Sequence, residues 1–205
     1  LKIYDSRTKS SQGFPIHNIN NIIWHDDLEK MTIETKIYKN ASGSNNIGIM
    51  TLDLDSGEVT DYRYCMNINS HIYLQAVSPN GETIIVLEYT HTGNQIIEQL
   101  ISVSTDCENI HLLYEINRPY KYVLEAGGLL KTESPFQGVS WSSDSQQLVV
   151  SLSGNLIILE LNGANKKTLA GWTGENAVFP LWLSDSNLVY YLSEDGLGMI
   201  NTDTK

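Results

Sequence analysis

Ser140 stands in Gly138-Val139-Ser140-Trp141-Ser142, the nearest approach in this chain to the Gly-x-Ser-x-Gly segment that presents a serine nucleophile on a strand-to-helix turn. The pattern fails at its last position, where Ser142 replaces glycine, and the residues lead into a polar turn between apolar runs instead of a helix. His17, His25, His71, His91 and His111 are scattered, with no two at a spacing that brings imidazoles onto one metal ion, so no zinc site is expected. Asp53-x-Asp55-x-Gly57 offers hard oxygen ligands in a tight loop, as calcium prefers, but lacks the further ligand and distal Glu of an EF-hand. Turn formation is the favoured reading of those carboxylates. Cys65 and Cys107 stand alone, without Cys-x-x-Cys spacing, and read as small buried apolar residues. No glycine-rich loop follows a strand and opens a helix, so nucleotide binding has no support. No catalytic residue, metal ligand or cofactor is expected of this chain.

The formal charge of −11 repels phosphate backbones, and no cluster of Lys and Arg overrides that average, which excludes nucleic acid as the expected partner. No apolar run approaches the roughly 18 to 20 residues of a membrane-spanning helix, so membrane insertion is not expected either. Charged residues are only 18% of the 205, and Asn, Ser, Thr and Gly separate short apolar runs, the composition of a turn-rich all-β protein. The chain opens at Leu1 with neither an initiator Met nor the pattern of a signal peptide, so either a leader has been removed or this is a piece of a longer protein.

Those runs repeat. NIIWHDDLEKMTIETKIY, LQAVSPNGETIIVLEYT, GVSWSSDSQQLVVSLSG and PLWLSDSNLVYYLSEDG each read as strand, polar turn and strand. Their reference residues Trp24, Val77, Trp141 and Trp182 lie 53, 64 and 41 residues apart, an irregular form of the period that marks propeller blades. Each copy continues alike, through a hairpin turn near Gly43, Gly93, Gly154 or Gly196 into a third strand, IGIMTLDL, IEQLISVS, NLIILEL or LGMIN. A fourth, more polar strand follows three of these, as in EVTDYRY after Gly57. Such a unit cannot bury both faces alone, so Trp24, Trp141 and Trp182 are expected to pack between neighbouring units.

The segment Trp141-Ser142-Ser143-Asp144-Ser145 and its variants Ser78-Pro79-Asn80-Gly81 and Ser184-Asp185-Ser186 resemble the TolB-type β-propeller repeat, which reads roughly Trp-Ser-Pro-Asp-Gly before an apolar strand. The copies depart from it: Trp24-His25-Asp26-Asp27 lacks the Ser, and Val77 stands where the Trp belongs. WD-repeat propellers are similar in plan, but no Trp-Asp ends a third strand. The resemblance implies an all-β propeller of about four four-stranded antiparallel blades, roughly 16–66, 70–116, 136–170 and 176–205, with 1–15 a partial blade strand. Either Leu1–Lys9, LKIYDSRTK, completes the last blade and closes a ring of four, or blades are missing; the larger ring is favoured because four is the lower limit of known rings. TolB-like propellers also tilt the expected location towards the periplasm or exterior.

The widest interval, from Val77 to Trp141, implies an insertion, NRPYKYVLEAGGLLKTESPFQ at 117–137. Loops on a rigid scaffold are where binding tends to sit, which makes Tyr120, Tyr122, Glu125 and Phe136 the candidate binding residues; a long strand plus connector is the plain alternative. The expected function is a non-catalytic scaffold for a protein or peptide partner. The alternatives are the gating propeller of a prolyl-oligopeptidase-like serine peptidase whose catalytic domain lies elsewhere, and small-ligand or sugar binding in the funnel.

Overall fold

The computed structural model describes residues 1–5, 10–13, 19–24, 30–37, 46–61, 71–104, 108–119, 123–125, 128–130, 134–162, 166–169, 177–184, 186–193 and 195–203. Every regular element among them is a strand. A hairpin of β1 (Lys2–Asp5) and β2 (Ser10–Gly13) precedes a first sheet of β3 (Ile19–Trp24), β4 (Lys30–Ile37), β5 (Asn46–Asp53) and β6 (Val59–Asp61). The second sheet contains β7 (His71–Val77), β8 (Thr83–Thr92), β9 (Gln95–Ser104) and β10 (Ile110–Pro119). A small hairpin, β11 (Val123–Glu125) with β12 (Gly128–Leu130), then leads to a third sheet of β13 (Phe136–Trp141), β14 (Gln147–Leu152), β15 (Asn155–Glu160) and β16 (Lys166–Thr168). The fourth has β17 (Val178–Trp182), β18 (Leu188–Ser193) and β19 (Gly196–Asn201). All pairings are antiparallel meanders. β1 pairs with β2 and β19 with β18, so among the described residues the N-terminal strand does not close onto β19.

One register generates all four sheets. Trp24 faces Met31, Val77 faces Ile84, Trp141 faces Leu148 and Trp182 faces Val189, each partner seven residues on. The turn between them is fixed by its own polar side chains. In the third sheet Ser142 N–H donates to Gln147 O at 2.9 Å, Ser142 Oγ donates to Asp144 Oδ1 at 2.6 Å, and Gln146 N–H donates to the same oxygen at 3.0 Å. The second sheet repeats this with Ser78, Asn80 and Glu82. In the fourth, Leu183 replaces the serine, and Ser186 Oγ instead accepts Leu188 N–H at 3.2 Å. The TolB-type motif is thus a hairpin device.

Period-two alternation then divides each sheet between two neighbours. In β14 and β15, Leu148, Val150, Leu152, Ile157 and Leu159 pack with Ile85, Leu87 and Leu100 of the second sheet, while Val149, Leu156 and Ile158 pack with Trp182 and Val189 of the fourth. Because both faces are covered, the strands read as continuous apolar runs. Trp141 and Trp182 are buried in these interfaces, each lying back against the preceding sheet. The expectation fails for Trp24, which is 46% exposed. Among the described residues the β1–β2 hairpin lies on that side, and its Leu1 and Ile3 reach Met31, Ile33 and Leu52 but leave the indole in solvent.

Each first strand also carries a register shift, at Ile19/Asn21, Leu74/Ala76, Phe136/Val139 and Val178/Leu181. The bulges let first strands of adjacent sheets converge. Gly138, at φ +128°, would place a Cβ only 3.0 Å from Pro180 Cδ and 3.2 Å from Phe179 Cα, so β13 and β17 meet where glycine alone fits.

Two outcomes follow from this packing. In urea denaturation, Trp141→Ala and Trp182→Ala should each cost about 3–5 kcal/mol, and Trp24→Ala less than about 1 kcal/mol. Hydrogen bonds from Ser142 and from Gln146 N–H hold the Asp144 carboxyl below its ordinary value of 3.8. Its stabilising effect is therefore present above the unfolded-state value and disappears as pH falls through the folded-state value, and Asp144→Asn should flatten this part of the acid limb.

Candidate functional site

The second sheet is built longer than its neighbours. β8 and β9 have 10 residues each against 6 in β14 and β15, so the hairpin around Gly93 stands proud by about 13 Å at the usual rise per residue. The extra residues, Tyr89–Glu98 with the end of β10, lie at the end where the chain enters the insertion. Their face towards the third sheet rises past the point where β14 turns at Ser153-Gly154.

At the centre of that face lies Glu98, which is completely buried. Alternation places it inward between Ile96 and Leu100 on β9 and opposite Tyr89 on β8. A buried carboxylate is tolerable only when paired and hydrogen-bonded. Arg118, at the end of β10, donates to Glu98 Oε1 from both Nε and Nη2, and Ser134 Oγ donates to Glu98 Oε2 at 2.6 Å. Ser134 also accepts Phe136 N–H at 3.1 Å, which starts β13. Arg118 and Ser134 stand near the two ends of the 117–137 insertion, so one carboxylate ties both of its roots together.

Aromatic rings pack around this clamp. Tyr73 meets Tyr89 edge-on at 5.4 Å, and Tyr114 meets Phe136 edge-on at 6.1 Å. Lys166 from the third sheet lies 4.4 Å from the Tyr114 ring centre and donates to its hydroxyl at 2.7 Å. Burial raises the Tyr89 hydroxyl above its usual value, with the nearby Glu98 charge adding to the shift. His91 and Asn94 are exposed at this end of the sheet, while Gln95, Glu115, Asn117 and Pro119, also exposed, lie at the alternate positions that face away from Glu98.

Of the candidate binding residues, Tyr120 and Tyr122 lie outside the described residues, and Glu125 ends β11, where it pairs with Gly128. Phe136 is 7% exposed and packs with Trp141 and Leu152 in the interface of the second and third sheets, so its ring supports the site from below and is no contact surface. Glu98, Arg118 and Ser134 escaped notice in the sequence, although the alternation of Ile96, Glu98 and Leu100 carried a signal: an acid at an inward position.

Two of the residues weighed for chemistry, Ser140 and Asp53, have structural roles. Ser140 Oγ accepts Trp182 N–H at 2.9 Å and links β13 to β17. Asp53 Oδ1 accepts the N–H groups of Asp55 and Ser56 at 3.1 and 2.8 Å, which lowers its carboxyl below 3.8, Ser56 N–H contributing most. Among the described residues no three His, Cys, Asp or Glu side chains come together as a metal site. Cys65, Cys107, His17 and His25 lie outside the described residues.

No family model matches the chain, and no curated protein matches it. Solved structures do. A protein described as TolB from Agrobacterium tumefaciens superposes with TM-score 0.56 at 15% identity, over 91% of this chain and 56% of its own. A protein described as a dipeptidyl aminopeptidase IV from Bacteroides ovatus gives TM-score 0.64 at 11% identity, over 99% of this chain and 38% of its own. KlAtg21, solved in complex with the coiled coil of AgAtg16, gives 0.57 at 12% identity, over 100% and 59%. The likeness establishes the fold: four antiparallel sheets arranged as in part of a β-propeller. This chain spans between about two fifths and three fifths of the length of these three chains.

Removing one partner of the clamp should expose its energetics. Arg118→Ala should cost about 3–5 kcal/mol, because it strands the Glu98 charge in the core, whereas the double variant Glu98→Leu/Arg118→Leu should recover most of that loss. Urea midpoints of the single and double variants check both statements.

Proposed function

We propose that this chain is a non-catalytic propeller scaffold that binds a protein or peptide segment at the raised end of its second sheet. The observation that carries this reading is the clamp: Arg118 and Ser134, near the two ends of the insertion, are both bound to the buried Glu98 carboxylate. A segment held at both roots on long paired strands is positioned by a rigid scaffold, which lowers the ordering cost of binding. Tyr120, Tyr122 and Glu125 are then the contact residues, with His91 and Asn94 exposed beside them. The net charge of −11 favours a neutral or basic peptide and disfavours nucleic acid. The KlAtg21 structure, a propeller with a coiled coil bound, supports protein binding by this fold. A periplasmic or extracellular setting belongs to the same proposal.

A second reading has one specific support, the superposition of nearly the whole chain on less than half of the Bacteroides ovatus aminopeptidase. In that reading the sheets gate access to a catalytic domain carried elsewhere in a longer polypeptide.

Selection of a displayed random-peptide library on the purified chain distinguishes these readings. The scaffold reading expects enriched peptides whose affinity falls at least about tenfold, some 1.4 kcal/mol, in Tyr120→Ala/Tyr122→Ala and in a chain with 121–132 replaced by a Gly-Ser linker of equal length. Enriched peptides that bind the linker variant equally well, or no enrichment, would overturn it. Hydrolysis of aminoacyl or dipeptidyl p-nitroanilides by the complete gene product, with none by the 205-residue chain, is the outcome expected of the second reading.

A further inference from the structure

At the end of the strands opposite the raised hairpin, equivalent clefts open between the second and third sheets and between the third and fourth. The shared register makes Ile85, Ser102 and His111 of the second sheet the counterparts of Val149, Ile158 and Lys167 of the third. The cleft between the third and fourth sheets, of about 370 Å³, is spanned by the protein's own cation. Lys167 Nζ crosses from β16 and donates to Thr202 O at 2.6 Å, one residue past the end of β19.

The cleft between the second and third sheets is larger, at about 540 Å³. Leu161 occupies the place of Thr202: its N–H donates to Gln146 O as Thr202 N–H donates to Asn187 O. His111, in the place of Lys167, is exposed, and among the described residues no side chain donates to Leu161 O. Ser102 lines the same cleft at 3% exposure, and its hydroxyl has no hydrogen-bond partner among the described residues. The flanking sheets treat that buried position differently. Thr51 is hydrogen-bonded to Thr32 at 2.9 Å in the first, and Ile158 faces Val149 in the third, whereas Ser102 faces Ile85. A buried hydroxyl left unmatched destabilises the fold, and one that lines a polar cavity is matched by what enters the cavity.

We propose that the cleft between the second and third sheets binds the primary ammonium group of a ligand, seated as Lys167 is seated in the next cleft. An ammonium carries three donors. Leu161 O would accept one, as Thr202 O accepts from Lys167, and Ser102 Oγ a second. The Glu82 carboxylate in the cleft lining and the formal charge of −11 favour a cation there. A free alkylamine and the lysine side chain of a peptide share this chemistry. The site lies apart from the Glu98 clamp and does not rest on the reading of the insertion.

Titration of the isotope-labelled chain with n-butylammonium chloride at constant ionic strength tests this by amide NMR, with tetramethylammonium as a cation that cannot donate. The expected result is saturable movement of the Ser102, Leu161 and Asn162 signals with n-butylammonium alone. Affinity should fall at least about tenfold in His111→Lys, which supplies the missing lysine, and in Ser102→Ile, which copies the third sheet. Nα-acetyl-lysine N-methylamide then separates the sources, and either result upholds the site: binding at least about tenfold tighter than n-butylammonium identifies a peptide side chain, and equal or weaker binding a free amine. Absence of saturable movement, an equal response to tetramethylammonium, or undiminished affinity in a folded His111→Lys variant would overturn the proposal.

Discussion

An antiparallel sheet with apolar residues on both faces is unstable alone, and this is the constraint from which the rest of the molecule follows. β14 and β15 place Leu148, Val150, Ile157 and Leu159 to one side and Val149, Leu156 and Ile158 to the other, so neither face can be left to water. The solution is serial: each sheet is covered by its neighbours in chain order, and large residues at the ends of first strands lie back over the sheet before. Where the described neighbours do not reach over it, as at Trp24, the same residue type is left half in solvent.

Much of this was legible. Strand, Ser-x-Asp/Asn turn and strand recur at Ser78 and Ser142 because the hairpin needs those side chains locally, and a local need leaves a local pattern. The third strands announced themselves by apolar runs between turn residues. What the sequence concealed was anything decided by the far side of a contact. Trp24 and Trp182 occupy equivalent positions, yet one is exposed and the other buried, a difference set by what packs against each and not by the local sequence. The first-strand bulges were equally hidden, since Gly138 makes sense only once Phe179 and Pro180 are seen against it.

The candidate site shows the same division. The length of the insertion marked the region, but Phe136 belongs to the core, and the groups that organise the region are a buried acid, an arginine and a serine far apart in sequence. Charged residues in a polar-looking strand read as surface. Only strict alternation, with Glu98 between Ile96 and Leu100, could have turned it inward. Glu34 repeats the lesson: it is 4% exposed, and its Oε2 accepts Leu74 N–H at 2.8 Å across the first and second sheets.

The seven-residue offset that pairs Trp141 with Leu148 and Trp182 with Val189 has a kinetic consequence. Contacts within each sheet join residues close in sequence, so hairpins close with little loss of chain entropy and contact order is low for an all-β protein. Forming a sheet is therefore a local event, and the slower, cooperative step is the docking of one finished sheet upon the next.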